Sequence, residues 1–119
     1  MSQDYARFRP LFAEALDPRL YAIEHLDGLL CSGRAQIWFG EAAAIVTELR
    51  TYPAGARAIH GLVAAGALDE IVDRLIPRAE AWARSIGCGF AIIESRPGWA
   101  RALKHQGYEP HQVAVRKAL

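Results

Sequence analysis

From Leu68 to Tyr108 the chain has almost no slack: a long amphipathic segment, a short apolar run and a Pro-started segment follow one another directly. Leu68, Ile71, Val72, Leu75, Ile76, Ala79, Trp82, Ala83 and Ile86 recur at three- and four-residue spacing, which aligns them on one stripe of an α-helix. Asp73, Arg74, Arg78, Glu80 and Arg84 fall largely outside that stripe. Pro77 removes a backbone donor and clashes with the preceding turn, so a kink near Asp73 to Pro77 is expected rather than a break. Gly87 stops the helix. Gly89 to Glu94 then reads as a strand apolar on both faces, covered from both sides. A second helix opens around Ser95, Arg96 and Pro97 and ends at Gly107. A right-handed crossover through the long helix would return the chain to the same end of the sheet, so this strand is expected parallel to the one before the helix.

The other segments supply sheet and cover. Tyr5, Phe8, Phe12, Ala15 and Leu16 form a first helical stripe, closed by Asp17 and Pro18. Asp17 as N-cap and Pro18 in the first turn would launch a second helix carrying Leu20, Ile23, Leu26 and Leu30, with Gly33 as its stop. Ala35 to Phe39, Glu41 to Tyr52 and Ala56 to Ala64 are separated by Gly40 and by Pro53 to Gly55, the spacing of a three-stranded antiparallel meander. Ala42 to Ala44 weakens the middle strand locally.

Composition excludes several function classes. The 119 residues suit one domain spanning 1–119, and a 52% hydrophobic content argues against disorder. No apolar run approaches the roughly 20 residues that span a bilayer. Fourteen basic against thirteen acidic residues, net +1, give no general attraction to nucleic acid or to an anionic membrane. Met1 to Pro10 lacks the hydrophobic block of a signal peptide, so the cytoplasm is the expected location. Cys31 and Cys88 lie far apart without a neighbouring ligand motif; no metal site is expected, only reduced, partly buried thiols.

The order of elements carries a resemblance. A helix running to Gly87 and Cys88, the strand Phe90 to Glu94, then Arg96-Pro97-Gly98-Trp99 and a helix closing on Gly107-Tyr108-Glu109-Pro110 resembles the second half of the GNAT superfamily of N-acetyltransferases, and the preceding meander fits its first half. The resemblance covers roughly Ala35 to Leu119. It implies an α+β domain with a mixed central sheet, in which a helix-covered antiparallel meander leads into helix, strand, helix and a last strand. It also implies acetyl-CoA as cofactor, acetyl transfer to the amine of a small molecule or protein, and sites on the strand before the long helix. The chain is similar, too, to compact GNAT-like proteins encoded in phage and prophage modules, which would make it a non-catalytic interaction protein. Binding of another small ligand in the splayed cleft is a third reading, and a homodimer stays open.

The site residues follow from the same comparison. Backbone of Leu62, Val63 and Ala64 would hold the pantetheine arm, and Gly66, Ala67 and Leu68 the phosphates, with Arg96 as an anion ligand or a solvated arginine. His60 would project into the cleft as a base or serve as a half-buried structural histidine, and Glu48 is a second candidate base or a solvent-facing strand carboxylate. The pattern departs from the family in three places. The phosphate loop Ala64-Ala65-Gly66-Ala67 holds one glycine and no upstream Gln or Arg in register, and Asp69 and Glu70 follow it at once, where their charge would repel a pyrophosphate. The position of the family's usual acid tyrosine is Leu103, and Arg96 replaces the Asn that many members have at that helix start. Together these departures predict weak acetyl-CoA binding.

Overall fold

A computed structural model describes residues 3–94 and 98–119. Helices α1 (Gln3–Ala15) and α2 (Ile23–Cys31) precede strands β1 (Ala35–Phe39), β2 (Ala43–Thr51) and β3 (Arg57–Gly66). A long helix follows as three continuous pieces, Leu68–Glu70, Ile71–Leu75 and Ile76–Ser85, then strand β4 (Phe90–Ile93) and a short closing helix, Gly98–Leu103, that tightens to a 3₁₀ turn over Lys104–Gln106. The four strands form one sheet in the order β1-β2-β3-β4. β1 and β2 pair antiparallel, as do β2 and β3, while β3 and β4 run parallel, as a crossover through the long helix requires. The architecture is α+β with a mixed central sheet.

Each sheet face has its own core. Tyr5, Phe8 and Phe12 of α1 and Leu26 of α2 bury against Ala35, Ala44, Val46 and Ala65. On the opposite face Ile71, Val72, Leu75, Ile76, Ala79 and Ala83 of the long helix bury against Ala43, Ile45 and Ile59, with Leu103 beside them. The strand alternation thus sends 43 and 45 one way and 44 and 46 the other. Both alanines at 43 and 44 are fully buried, because facing helices approach most closely where side chains are smallest.

Pro77 acts one turn upstream of itself. Over Ile71–Leu75 the helix widens to π geometry, and the Ile76 amide donates to the Ile71 carbonyl, five residues back. Since Pro77 has no N–H to give to the Asp73 carbonyl and its ring crowds that turn, the added residue per turn takes up the misfit without breaking the helix. Downstream, Gly87 and Gly107 adopt positive φ where the long and closing helices end.

Four expectations need correction. Strand β4 is not covered from both sides: it is an edge of the sheet, Phe90 is 61% exposed and Ala91, Ile92 and Ile93 are only half-buried, because no further strand pairs beyond it among the described residues. The second helix begins at Ile23, not at Asp17–Pro18: the Asp17 carbonyl accepts the amides of Leu20 and Tyr21 in a turn, its carboxylate takes the Arg19 amide, and Leu20 points outward, 60% exposed. The His25 ring nitrogen Nδ1 accepts the Ala22 amide at the true start instead. Residues 109–119 form no last strand and are exposed throughout. Val113 and Val115 gain nothing by pairing in isolation, and β4 offers an edge of four residues. Cys31 is exposed rather than partly buried, while Cys88 is half-buried.

Candidate functional site

A polar cluster lies where the inner strands meet. Glu48 of β2 stands directly opposite His60 of β3, and Arg50 opposite Ala58, so Glu48, Arg50 and His60 share one face. Ile59 packs under the long helix, so this is the other face, the one that α1 and α2 cover further along. Arg50 binds Glu48 Oε1 through Nη2 at 2.6 Å and Nε at 2.8 Å, and reaches Glu94 Oε1 through Nη1 at 3.3 Å. The Tyr52 hydroxyl lies 2.7 Å from His60 Nε2, and the other ring nitrogen, Nδ1, is 3.7 Å from Glu94 Oε1. Five side chains from two strands, a turn and a strand end thus form one connected set.

Within the set, burial separates the roles. His60 is 2% exposed, whereas the Glu94 side chain is 70% exposed. Burial pushes the His60 imidazole below its ordinary pKa, the Arg50 charge adds to that, and Glu94 and Glu48 oppose it. The ring is therefore neutral near pH 7 and has a lone pair to offer. Glu48, half-buried, spends its carboxylate on Arg50.

One residue beyond His60 the sheet opens. β4 pairs with β3 from Ala58–Phe90 to Gly61–Ile93 and then ends, while β3 runs on to Gly66. Leu62, Val63 and Ala64 lie in that continuation. The β2–β3 register slips there, from Thr47–Gly61 to Val46–Val63, leaving Leu62 as a bulge. A strand edge without a partner is a row of backbone donors and acceptors that an extended ligand arm can use.

The expected loop over Ala64–Ala67 is mostly strand, with Ala64, Ala65 and Gly66 pairing with Ile45, Ala44 and Ala43, and its end is committed to the fold. Gly66 has φ +101°, and a Cβ there would fall 2.1 Å from the Ala42 carbonyl oxygen. The Ala67 amide donates to that same carbonyl at 3.0 Å. Glu70 turns its carboxylate across to the Ala42 amide, 3.1 Å from Oε1, and fills the space beside Gly40. Leu68 and Asp69 are exposed at the helix start. Arg96 lies outside the described residues.

Sequence reading singled out His60, Glu48, Leu62, Val63, Ala64, Gly66, Ala67 and Leu68 as candidates, and did not single out Tyr52, Arg50 and Glu94, which the structure joins to His60 and Glu48. A signal was present: Glu48, Arg50 and Tyr52 alternate at period two in what reads as an inner strand, so one of its faces is polar where an apolar one is expected. Trp99 and Ala102 pack half-buried beside Leu103, and Tyr108 donates to Glu80 at 2.5 Å from just beyond the closing helix. Acetyl-CoA would thus meet residues that fit it in part: the open β3 edge suits an extended thioester arm, whereas the loop gives one of its amides and its glycine space to Ala42 rather than to a phosphate.

No protein-family model matches the chain, and no curated protein sequence does. Solved structures match it over 81% to 100% of its length. Glucosamine-6-phosphate N-acetyltransferase from Arabidopsis thaliana superposes with a TM-score of 0.72 at 12% identity, covering 99% of this chain and 94% of that one. The aminoglycoside antibiotic 6'-N-acetyltransferase from Acinetobacter haemolyticus gives 0.71 at 15% identity, covering 100% and 94%. A predicted acetyltransferase from Clostridium acetobutylicum, solved with acetyl-CoA, gives 0.65 at 10% identity, covering 81% and 71%. At such identities the likeness is one of fold.

Proposed function

On the GNAT acetyltransferase fold that this chain has, we propose that it transfers an acetyl group from acetyl-CoA to the amine of a small molecule or protein, with His60 as proton acceptor. The observation that carries this reading is the placement of a buried, neutral imidazole one residue before the point where β3 parts from β4. The thioester would supply an activated acetyl group. Backbone of Leu62, Val63 and Ala64 would bind and orient the arm along the open edge, and Gly66, Ala67 and Leu68 mark the end where the phosphates would lie. The His60 ring would be where the proton shed by the amine comes to rest as the amine nitrogen bonds to the acetyl carbon, and Glu48 would hold Arg50 in place beside it.

A second reading is favoured by the commitment of Ala67 and Gly66 to Ala42. On it the chain is a non-catalytic GNAT-like interaction protein, of the kind carried in phage or prophage modules. Titration calorimetry of the full chain with acetyl-CoA, followed by assay of thiol release over a panel of primary amines, separates the two. Saturable binding with amine-dependent thiol release supports the transferase. No heat at millimolar acetyl-CoA and no thiol release overturns it.

A further inference from the structure

We infer that Tyr52, not His60, meets the proton of the substrate, and that Glu94 is a positioning residue that fixes the His60 tautomer so that Tyr52 can pass its hydrogen to Nε2; this rests on the acetyl-transfer reading. The imidazole is 2% exposed, so an amine nitrogen cannot reach it, whereas Tyr52 is 38% exposed and its hydroxyl lies 2.7 Å from Nε2. A neutral imidazole carries one N–H and one lone pair. The Glu94 carboxylate lies 3.7 Å from Nδ1, too far for a direct hydrogen bond, and although its 70% exposure screens the attraction it favours the N–H on Nδ1 and the lone pair on Nε2. The Tyr52 hydroxyl then donates to Nε2 and keeps its own lone pairs for an incoming proton.

The charged neighbours are disposed to support that state. Arg50 and Glu48 come from β2, Glu94 from the end of β4 and Tyr52 from the turn after β2. Arg50 spans the two carboxylates and so holds Glu94 near the ring, while Glu94 offsets the repulsion of Arg50 once the ring is charged. In the transfer, the amine nitrogen bonds to the acetyl carbon and the carbon–sulfur bond breaks, its electron pair leaving on sulfur. The amine proton passes to the Tyr52 oxygen as the Tyr52 hydrogen passes to Nε2. The imidazolium afterwards returns its proton through Tyr52 to water and the thiolate draws one from water, so the sum is amide plus thiol.

Two measurements on the full chain test this. Nitrogen NMR of histidine-labelled protein, with the His60 signals assigned by their loss in His60→Gln, should show a neutral ring protonated on Nδ1, and Glu94→Gln should raise the Nε2-protonated fraction. A ring protonated on Nε2 in the unmodified chain overturns the proposal. In the transfer assay, Tyr52→Phe should lower kcat by about tenfold or more and leave the KM for acetyl-CoA within about twofold. Equal rates for Tyr52→Phe and the unmodified chain overturn the relay alone. Absence of transfer by the unmodified chain overturns the functional reading and the relay with it, while the tautomer ratio still reports whether Glu94 orients the ring.

Discussion

Gly66 sits against Ala42 so tightly that any side chain on it would run into the Ala42 carbonyl, 2.1 Å from the first carbon added. Two constraints meet at this residue, the left-handed backbone at φ +101° and contact with another strand's backbone, which cannot swing away as a side chain can. Gly66→Ala should therefore cost about 3 kcal/mol or more in urea denaturation. Gly87→Ala is the control: φ is +92°, but the nearest atom is the end of the Arg57 side chain at 3.4 Å, so the cost should stay near 1–2 kcal/mol.

Trp82 leans on Trp38 with ring centroids 5.6 Å apart, and Trp38 donates its indole N–H to Thr47 Oγ1 at 3.0 Å. The Trp82 ring is half-buried, so truncation removes only part of a full core contribution. Trp82→Ala should cost about 2–4 kcal/mol in denaturant melts. A loss below about 1 kcal/mol would show that the ring does not pack on the sheet.

Alkaline pH should erode stability through two tyrosines. Burial and the Glu80 carboxylate hold the Tyr108 hydroxyl well above its ordinary range, and burial with Asp27 does the same for Tyr5. The unfolded chain gives up these protons from about pH 10 while the folded chain keeps them, so stability is whole below that pH and falls as pH rises above it. Tyr108→Phe should flatten the fall measured by denaturation between about pH 9 and 11. An unchanged slope would place the hydroxyl in water.

Acetyl-CoA should bind no tighter than about 100 μM, roughly −5.5 kcal/mol. The two first-turn carboxylates are not equivalent. Asp69 is exposed beside the loop, so Asp69→Asn should improve binding, more at low salt. Glu70 holds the Ala42 amide, so Glu70→Gln should weaken the β1–β2 turn and help binding little. Micromolar calorimetric binding by the unmodified chain would refute the argument from the loop.

Losing one end of an exposed ion pair should show only locally. Arg116 first and Arg19 second hold the Asp17 carboxyl well below the usual carboxylate range. Arg116→Ala should speed amide exchange of residues 112–118 without moving the global unfolding midpoint, because the segment it tethers is exposed and buries no core.

Periodicity placed the long helix on the stripe from Leu68 to Ile86, the strand at Phe90–Ile93 and the helix stops at Gly87 and Gly107, which act through local geometry, and the fold class follows from their order, though the expected last strand did not form. Capping was less legible, since Asp17 had a turn and two arginines competing with the role of N-cap, and only the packed chain settles such a competition. His60 and Glu48 were readable as candidates, but their partners were not. Strand pairing brings Tyr52 and Glu94 to a ring eight residues from one and thirty-four from the other, and closeness between distant residues depends on register rather than on composition. The fate of Gly66 was decided in the same way: the sequence placed it at a helix start, where its amide and open space suit a phosphate, and the tertiary structure gave that space to the carbonyl of Ala42.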